Sequence, residues 1–145
     1  MVIKAKKMSF YNNQRKIVLS IGRLVEYKGF EYLIEDEKYL DNEFLILIAG
    51  GGPLFKRLKR KVENLNLQDK VMLLRRVDDI TQLLKRCDVF CLPSVLRTEA
   101  FGLVLVEALY FGKPLVTTDV KGSGMSYVNK YGATGLSCHH ETLRF

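Results

Sequence analysis

The stretch Phe44-Leu45-Ile46-Leu47-Ile48-Ala49-Gly50-Gly51-Gly52-Pro53 decides the fold. Phe44–Ala49 contains no polar residue, so a strand here is apolar on both faces. That suits a parallel sheet covered by helices on both sides. Three glycines and a proline break the run, and Leu54–Leu65 then reads as an amphipathic helix. Leu54, Leu58, Val62 and Leu65 share one face, while Lys56, Arg57, Lys59, Arg60 and Lys61 lie mostly off it. Strand, glycine turn and helix form one βα unit.

The same unit recurs outward in both directions. Upstream, Ile17–Ile21 reads as a strand and Phe30–Leu40 as its helix. Downstream come strand Val71–Leu74 with helix Ile80–Cys87, then strand Val89–Leu92 with the apolar helix Gly102–Phe111. Strand Leu115–Thr118, the short helix Met125–Lys130 and strand Leu136–Cys138 complete the pattern. Right-handed crossovers leave an α/β, doubly wound parallel sheet with helices on both faces as the expected architecture. Ligands of such sheets bind outside the carboxyl ends of the strands, so the loops directly after the strands carry the functional question.

Composition fits one domain of this kind. The chain has 145 residues, 48% hydrophobic and 27% charged. No apolar run approaches the ~18–20 residues of a membrane span, and no signal peptide is read at Met1–Lys7. The net charge of +7 is met either by a solvated basic surface or by a partner rich in phosphate or anionic lipid. Three cysteines, an odd and small number, suit a reducing compartment. Cys91 falls in an apolar run and is expected to be buried. Cys138, His139 and His140 are neighbours near the chain end, an arrangement that rarely closes a zinc site, so no metal is expected.

Three loops carry chemistry. Gly22-Arg23-Leu24-Val25-Glu26-Tyr27-Lys28-Gly29 sets two cations at the end of the first strand. An arginine offers phosphate a planar fork and a lysine a point charge. Gly50-Gly51-Gly52-Pro53 lets backbone approach a ligand closely and could open an anion-binding helix start, though it is neither the dinucleotide fingerprint nor a P-loop. Glu99-Ala100-Phe101-Gly102-Leu103-Val104-Leu105-Val106-Glu107 directs helix-start amides at the cleft. Its Glu107, the one charged residue in an apolar helix, is expected to face a structural cation or a ligand hydroxyl. Eight residues separate the two acids, ~12 Å if both are helical, too far for the carboxylate pair of a glycoside hydrolase. Phosphate-seeking cations, open amides and two spaced acids together suit a sugar–diphosphate–nucleoside.

At this point a resemblance carries the reading further. Gly22-Arg23-Leu24 with Lys28-Gly29, Gly50-Gly51-Gly52-Pro53, Asp88-Val89-Phe90-Cys91-Leu92-Pro93-Ser94, Glu99-Ala100-Phe101-Gly102 with Glu107-Ala108, Gly112-Lys113-Pro114-Leu115-Val116 and Gly132 with Gly135 stand in a specific order and spacing. From Lys16 to Cys138 the chain resembles the C-terminal domain of retaining family 4 glycosyltransferases, the Rossmann-like half of a GT-B fold. The resemblance implies catalytic roles for Arg23 and Lys28 on the donor diphosphate and for Glu99 on the donor sugar. It implies donor binding by Gly22, Gly51, Gly52, Phe101, Gly102, Leu103 and Glu107, the last on the ribose hydroxyls, with Val77 near the base. No Asp-x-Asp motif is present, and no metal or other cofactor is implied, since cations stabilise the leaving group. Two departures stand out: Lys121-Gly122-Ser123-Gly124-Met125-Ser126-Tyr127-Val128 lacks the family's acid and resembles a branch of bacterial surface-polysaccharide synthesis, and Arg76 sits where the family commonly has a glycine, a change expected to alter base contacts.

The resemblance also implies a nucleotide sugar as substrate and an N-terminal, acceptor-binding domain as partner. Residues 1–15 then read as a linker remnant and 16–145 as the donor-binding domain, truncated at its C-terminal end. The expected location is cytoplasmic, with peripheral contact at the inner face of the membrane through the basic surface and no nucleic acid partner. The alternative is a non-catalytic nucleotide- or nucleic-acid-binding α/β module. It would account for the charge, but no aromatic–basic stacking motif supports it.

Overall fold

The computed structural model describes residues 14–97 and 102–138. Its centre is strand β2 (Phe44–Ala49), apolar throughout, flanked by β1 (Lys16–Ile21) and β3 (Val71–Leu74). On the other side of β1 follow β4 (Val89–Leu92), β5 (Leu115–Thr118) and β6 (Gly135–Cys138). The sheet has six strands in the order β3-β2-β1-β4-β5-β6. Every neighbouring pair is parallel, with Ile17 opposite Leu45 and Phe90 opposite Leu115 as register marks. The order grows in one direction to β3 and restarts beside β1. The switch point therefore lies between β1 and β4, and the doubly wound expectation is met.

The helices are α1 (Phe30–Glu35), α2 (Phe55–Asn64), α3 (Thr81–Arg86), α4 (Leu103–Tyr110) and α5 (Met125–Val128). Strand alternation divides the core between two faces. Ile17 and Leu19 of β1 join Leu83, Leu84, Leu105, Ala108 and Met125, beneath α3, α4 and α5. Val18, between them, joins Leu33, Ile34, Leu58 and Val62, beneath α1 and α2. Each Val, Leu, Ile or Met side chain among them, fully withdrawn from water, contributes about 1.5–3 kcal/mol, and these two layers hold the sheet in place.

Two expected helices differ in detail, and one turn was not expected. The helix predicted over Phe30–Leu40 is α-helical only to Glu35 and tightens into a 3₁₀ turn at Asp36–Tyr39. The tighter turn tucks Glu37 inward, 5% exposed, where Lys70 Nζ lies 3.1 Å from its carboxylate. A second 3₁₀ turn at Glu26–Lys28, not foreseen in the sequence, lies in the loop after β1. The helix predicted over Met125–Lys130 ends at Val128, because the Asn129 side chain donates to Thr117 Oγ1 and to the Leu136 carbonyl, both at 2.8 Å, and so pins β5 to β6.

Of the predicted linker, residues 1–13 lie outside the described residues. Arg15 is fastened to the domain: its guanidinium donates to the Asp69 carbonyl at 2.6 Å. Among the described residues, no helix is long and apolar enough to cross a membrane.

Candidate functional site

A crevice of about 430 Å³ opens at the carboxyl ends of β1, β2 and β3. That volume is in the range of small-ligand sites. Ile21, Ala49, Val77 and Ile80 give it apolar walls. Gly22 and the ribbon Gly50-Gly51-Gly52 give it bare backbone, and Arg23 and Arg76 are its charged lining. The structure thus gathers Gly22, Arg23, Gly51, Gly52 and Val77 of the sequence-predicted set around one space. Arg76, the departure from the family pattern expected to bear on base contacts, also lines it. Ile21 and Ile80 were missed by sequence reasoning: Ile21 directly precedes the chosen Gly22 at the end of β1, and Ile80 lies at the start of α3.

The glycines are required by close approach. A Cβ on Gly50 would stand 1.9 Å from the Gly22 carbonyl oxygen, and one on Gly52 would stand 2.7 Å from the Leu24 nitrogen. The Leu24 amide donates to the Gly51 carbonyl at 2.9 Å, so the loops after β1 and β2 are stitched together. The start of α2 differs from the expected anion site. The Leu54 amide is used by the Leu24 carbonyl and the Phe55 amide by the Gly52 carbonyl. The amides of Gly51, Gly52, Arg76 and Val77 donate no backbone hydrogen bond among the described residues and are available to a ligand.

Lys28 reaches the same region from the 3₁₀ turn. A Cβ on Gly22 would stand 3.6 Å from Lys28 Cε, so the lysine stem runs beside the crevice wall. Its ammonium also lies 5.5 Å from the Tyr27 ring centroid. Gly29 closes the loop in the left-handed region, φ 69°, at a point where a Cβ would be 2.0 Å from the Pro93 carbonyl oxygen. The Val95 amide donates to the Tyr27 carbonyl at 2.8 Å. These contacts bind the loops after β1 and β4 across the switch point.

The loop after β4 leads to α4. Glu99 and Phe101 lie outside the described residues. Gly102, at φ 57°, ends the loop and caps α4 without a side-chain hydrogen bond. The amides of Leu103 and Val104 make no backbone hydrogen bond among the described residues, as the first turn of a helix allows. α4 begins after the left-handed Gly102, and the expected ~12 Å separation of Glu99 from Glu107 involves a residue outside the described ones. Glu107 is exposed, and among the described residues no cation pairs with it. Its solvation removes the burial penalty that called for a structural cation, and the carboxylate is open to a ligand.

Other titratable groups are structural. Burial holds the Cys87 thiol up at about 11 and pushes the Cys91 thiol higher still. Cys91 is fully buried, as expected for a small apolar residue. Hydrogen bonds from Thr81 hold the Asp79 carboxyl below its ordinary value, with the Thr81 amide 2.9 Å away at the start of α3. Among the described residues no three His, Cys, Asp or Glu side chains are grouped to hold a metal ion; His139 and His140 lie outside them.

Comparison with known proteins gives this site a family. Residues 3–142 match the model of glycosyl transferases group 1. The chain is 37% identical over 123 residues to the D-rhamnosyltransferase WbpZ of Pseudomonas aeruginosa, covering 83% of this chain and 31% of that protein. It is 30% identical over 118 residues to O-antigen chain mannosyltransferase C of Escherichia coli, covering 81% of this chain and 31% of that protein. Among solved structures, Anabaena Alr3699/HepE in complex with UDP-glucose superposes with a TM-score of 0.81 at 26% identity, covering 94% of this chain and 38% of that one. The chain spans about a third of the length of these relatives. The expected Rossmann-like, C-terminal half of a GT-B glycosyltransferase is what the fold and these matches agree on. This chain belongs to the glycosyl transferases group 1 family.

Proposed function

We propose that the crevice holds a nucleotide diphosphate sugar and that the whole protein transfers its sugar, with retention of anomeric configuration, to a glycan or lipid-linked acceptor in surface-polysaccharide synthesis. The observation that carries this is the gathering of Arg23, open glycine amides and apolar Val77 and Ile80 around one cavity at the carboxyl ends of the strands. Apolar walls suit a base. Cations suit a diphosphate. A structural relative holds UDP-glucose, and another relative is an O-antigen chain mannosyltransferase.

In this reading Arg23 and Lys28 take the diphosphate, Glu99 the donor sugar, Glu107 the ribose, and the amides near Phe101, Gly102 and Leu103 the sugar or phosphate oxygens. The bond from the anomeric carbon to the phosphate oxygen breaks, and the nucleoside diphosphate leaves with the electron pair. The acceptor hydroxyl attacks the same face, and its proton passes to the departing phosphate. The two cations stabilise the charge that develops on the leaving group, the work a metal would otherwise do. The chain works in the cytoplasm, and the exposed Lys56, Lys59 and Arg60 on α2 supply a basic face for an anionic membrane surface.

Transfer needs the acceptor oxygen held within roughly 3–3.5 Å of the anomeric carbon, a position for an N-terminal domain to supply. The test is a transfer assay. The chain alone should stay near background, and the matching N-terminal domain added in trans should restore turnover. Robust transfer by the chain alone would contradict the division of labour. Binding to random oligonucleotides with steep salt dependence, and no competition from nucleotide sugars, would favour the nucleic-acid reading instead.

A further inference from the structure

The glycine ribbon that forms one wall of the crevice has no side chains of its own to hold it. Its backbone link to the opposite wall is the Gly50 amide, which donates to the Leu74 carbonyl at 3.0 Å. Beyond that point the walls separate: Gly51 and Gly52 on one side, Arg76 and Val77 on the other, with no backbone hydrogen bond from their amides among the described residues. A Cβ on Gly51 would lie 3.8 Å from Arg76 Cβ, so the walls stay near one another without being joined.

One side-chain contact joins them. Arg75, the residue after β3, stacks on Phe55, the first residue of α2, with its guanidinium carbon 4.4 Å from the ring centroid. Phe55 follows the ribbon directly through Pro53 and Leu54, and Arg75 precedes Arg76 and Val77. Neither Arg75 nor Phe55 lines the crevice. Phe55 is anchored from below, packed against the core cluster under α2. The planar, always-charged guanidinium matches the face of an aromatic ring, and it is held there by the ring's negative face rather than by a carboxylate.

We propose that Arg75 is a positioning residue for the base end of the crevice. Its stack on Phe55 fixes the spacing between the glycine ribbon and the Arg76–Val77 turn. This inference rests on the nucleotide-sugar reading above. It assigns Arg75 no contact with the ligand. Its effect is confined to the half of the ligand that inserts between these walls, the nucleoside, while the diphosphate is held by Arg23 and Lys28 on another loop.

The test is a calorimetric titration of the 145-residue chain with uridine, UDP, guanosine, GDP and inorganic pyrophosphate. Arg75→Ala should weaken the nucleoside and the matching nucleoside diphosphate by the same factor, roughly two- to fivefold for an exposed cation–π contact, and leave pyrophosphate unchanged. Phe55→Leu, which keeps an apolar anchor in the core, should produce the same pattern. The double variant should be no worse than either single one, and Arg75→Lys should keep most of the affinity. A fall in melting temperature with all ligand affinities unchanged would reduce the stack to a structural contact and overturn the proposal. So would an equal loss for pyrophosphate. A wild-type chain that binds none of these nucleotides would instead sink the nucleotide reading, and the proposal with it.

Discussion

Arg23 and Lys28 sit on one short loop, yet reach the site differently. Arg23 lines the crevice, exposed, while the Lys28 stem runs along Gly22. If both serve the diphosphate, Arg23→Ala or Lys28→Ala should weaken a nucleoside diphosphate about tenfold or more and leave the free nucleoside nearly unchanged, because a charge-assisted contact contributes roughly 1.5–3 kcal/mol. Equal losses for both ligands would refute that role. Glu107→Gln should lower affinity for a ribonucleotide but not for its 2′,3′-dideoxy analogue, measured side by side. The cysteines give a pH prediction. Burial raises Cys87 from its ordinary value of 9.0 to about 11, and raises Cys91 further, so the folded chain holds these protons more tightly than the unfolded one. Stability from this source is complete below pH 9 and is lost as pH rises through the folded value. Urea midpoints should therefore fall between pH 9 and 11, and less steeply in Cys87→Ala, compared with its own value at pH 7. At this scale Gly22, Arg23, Gly51 and Gly52 were legible as crevice-lining positions, since each closely follows an apolar strand. Ile80 was hidden because its place depends on how the loop after β3 returns toward β2, which no local pattern encodes.

Among elements, the strands were legible because every one is an apolar run closed by a turn, and parallel pairing follows from their two-faced burial. The break after Glu35 was not legible. It depends on Lys70, from the start of β3, meeting Glu37 in space. The two 3₁₀ turns have the same non-local character. The loop after β1 is held from outside by α2: the Arg57 guanidinium reaches Glu26 at 2.6 Å and Glu31 at 2.7 Å. Arg57 and Glu26 are largely exposed and Glu31 partly so, so Arg57→Ala should cost at most about 1 kcal/mol in global stability. It should nevertheless loosen the turn that carries Lys28, and lower nucleoside diphosphate affinity more than the melting temperature suggests. Gly29→Ala tests the opposite edge of that loop. The left-handed backbone alone costs about 1–2 kcal/mol, and a Cβ 2.0 Å from the Pro93 oxygen adds steric conflict, so urea denaturation should show a larger loss than that.

For the whole molecule, the sheet order determines where function gathers. Parallel pairing sets the carboxyl ends of all strands along one edge, and the loops after β1, β2 and β3 meet there around the crevice, on the β3 side of the switch point. The chain spans about a third of the length of its relatives, so the proposed holding of the donor by these residues is separate from the proposed transfer of its sugar, for which a second wall of the cleft is required. The most direct measurement is a calorimetric titration of the purified chain with nucleoside diphosphates and their sugars, repeated on Arg23→Ala. The account predicts saturable binding at a single site, weakened about tenfold or more by Arg23→Ala for the diphosphates and nearly unchanged for the corresponding nucleoside. No binding of any nucleotide diphosphate, or binding indifferent to Arg23, would contradict it.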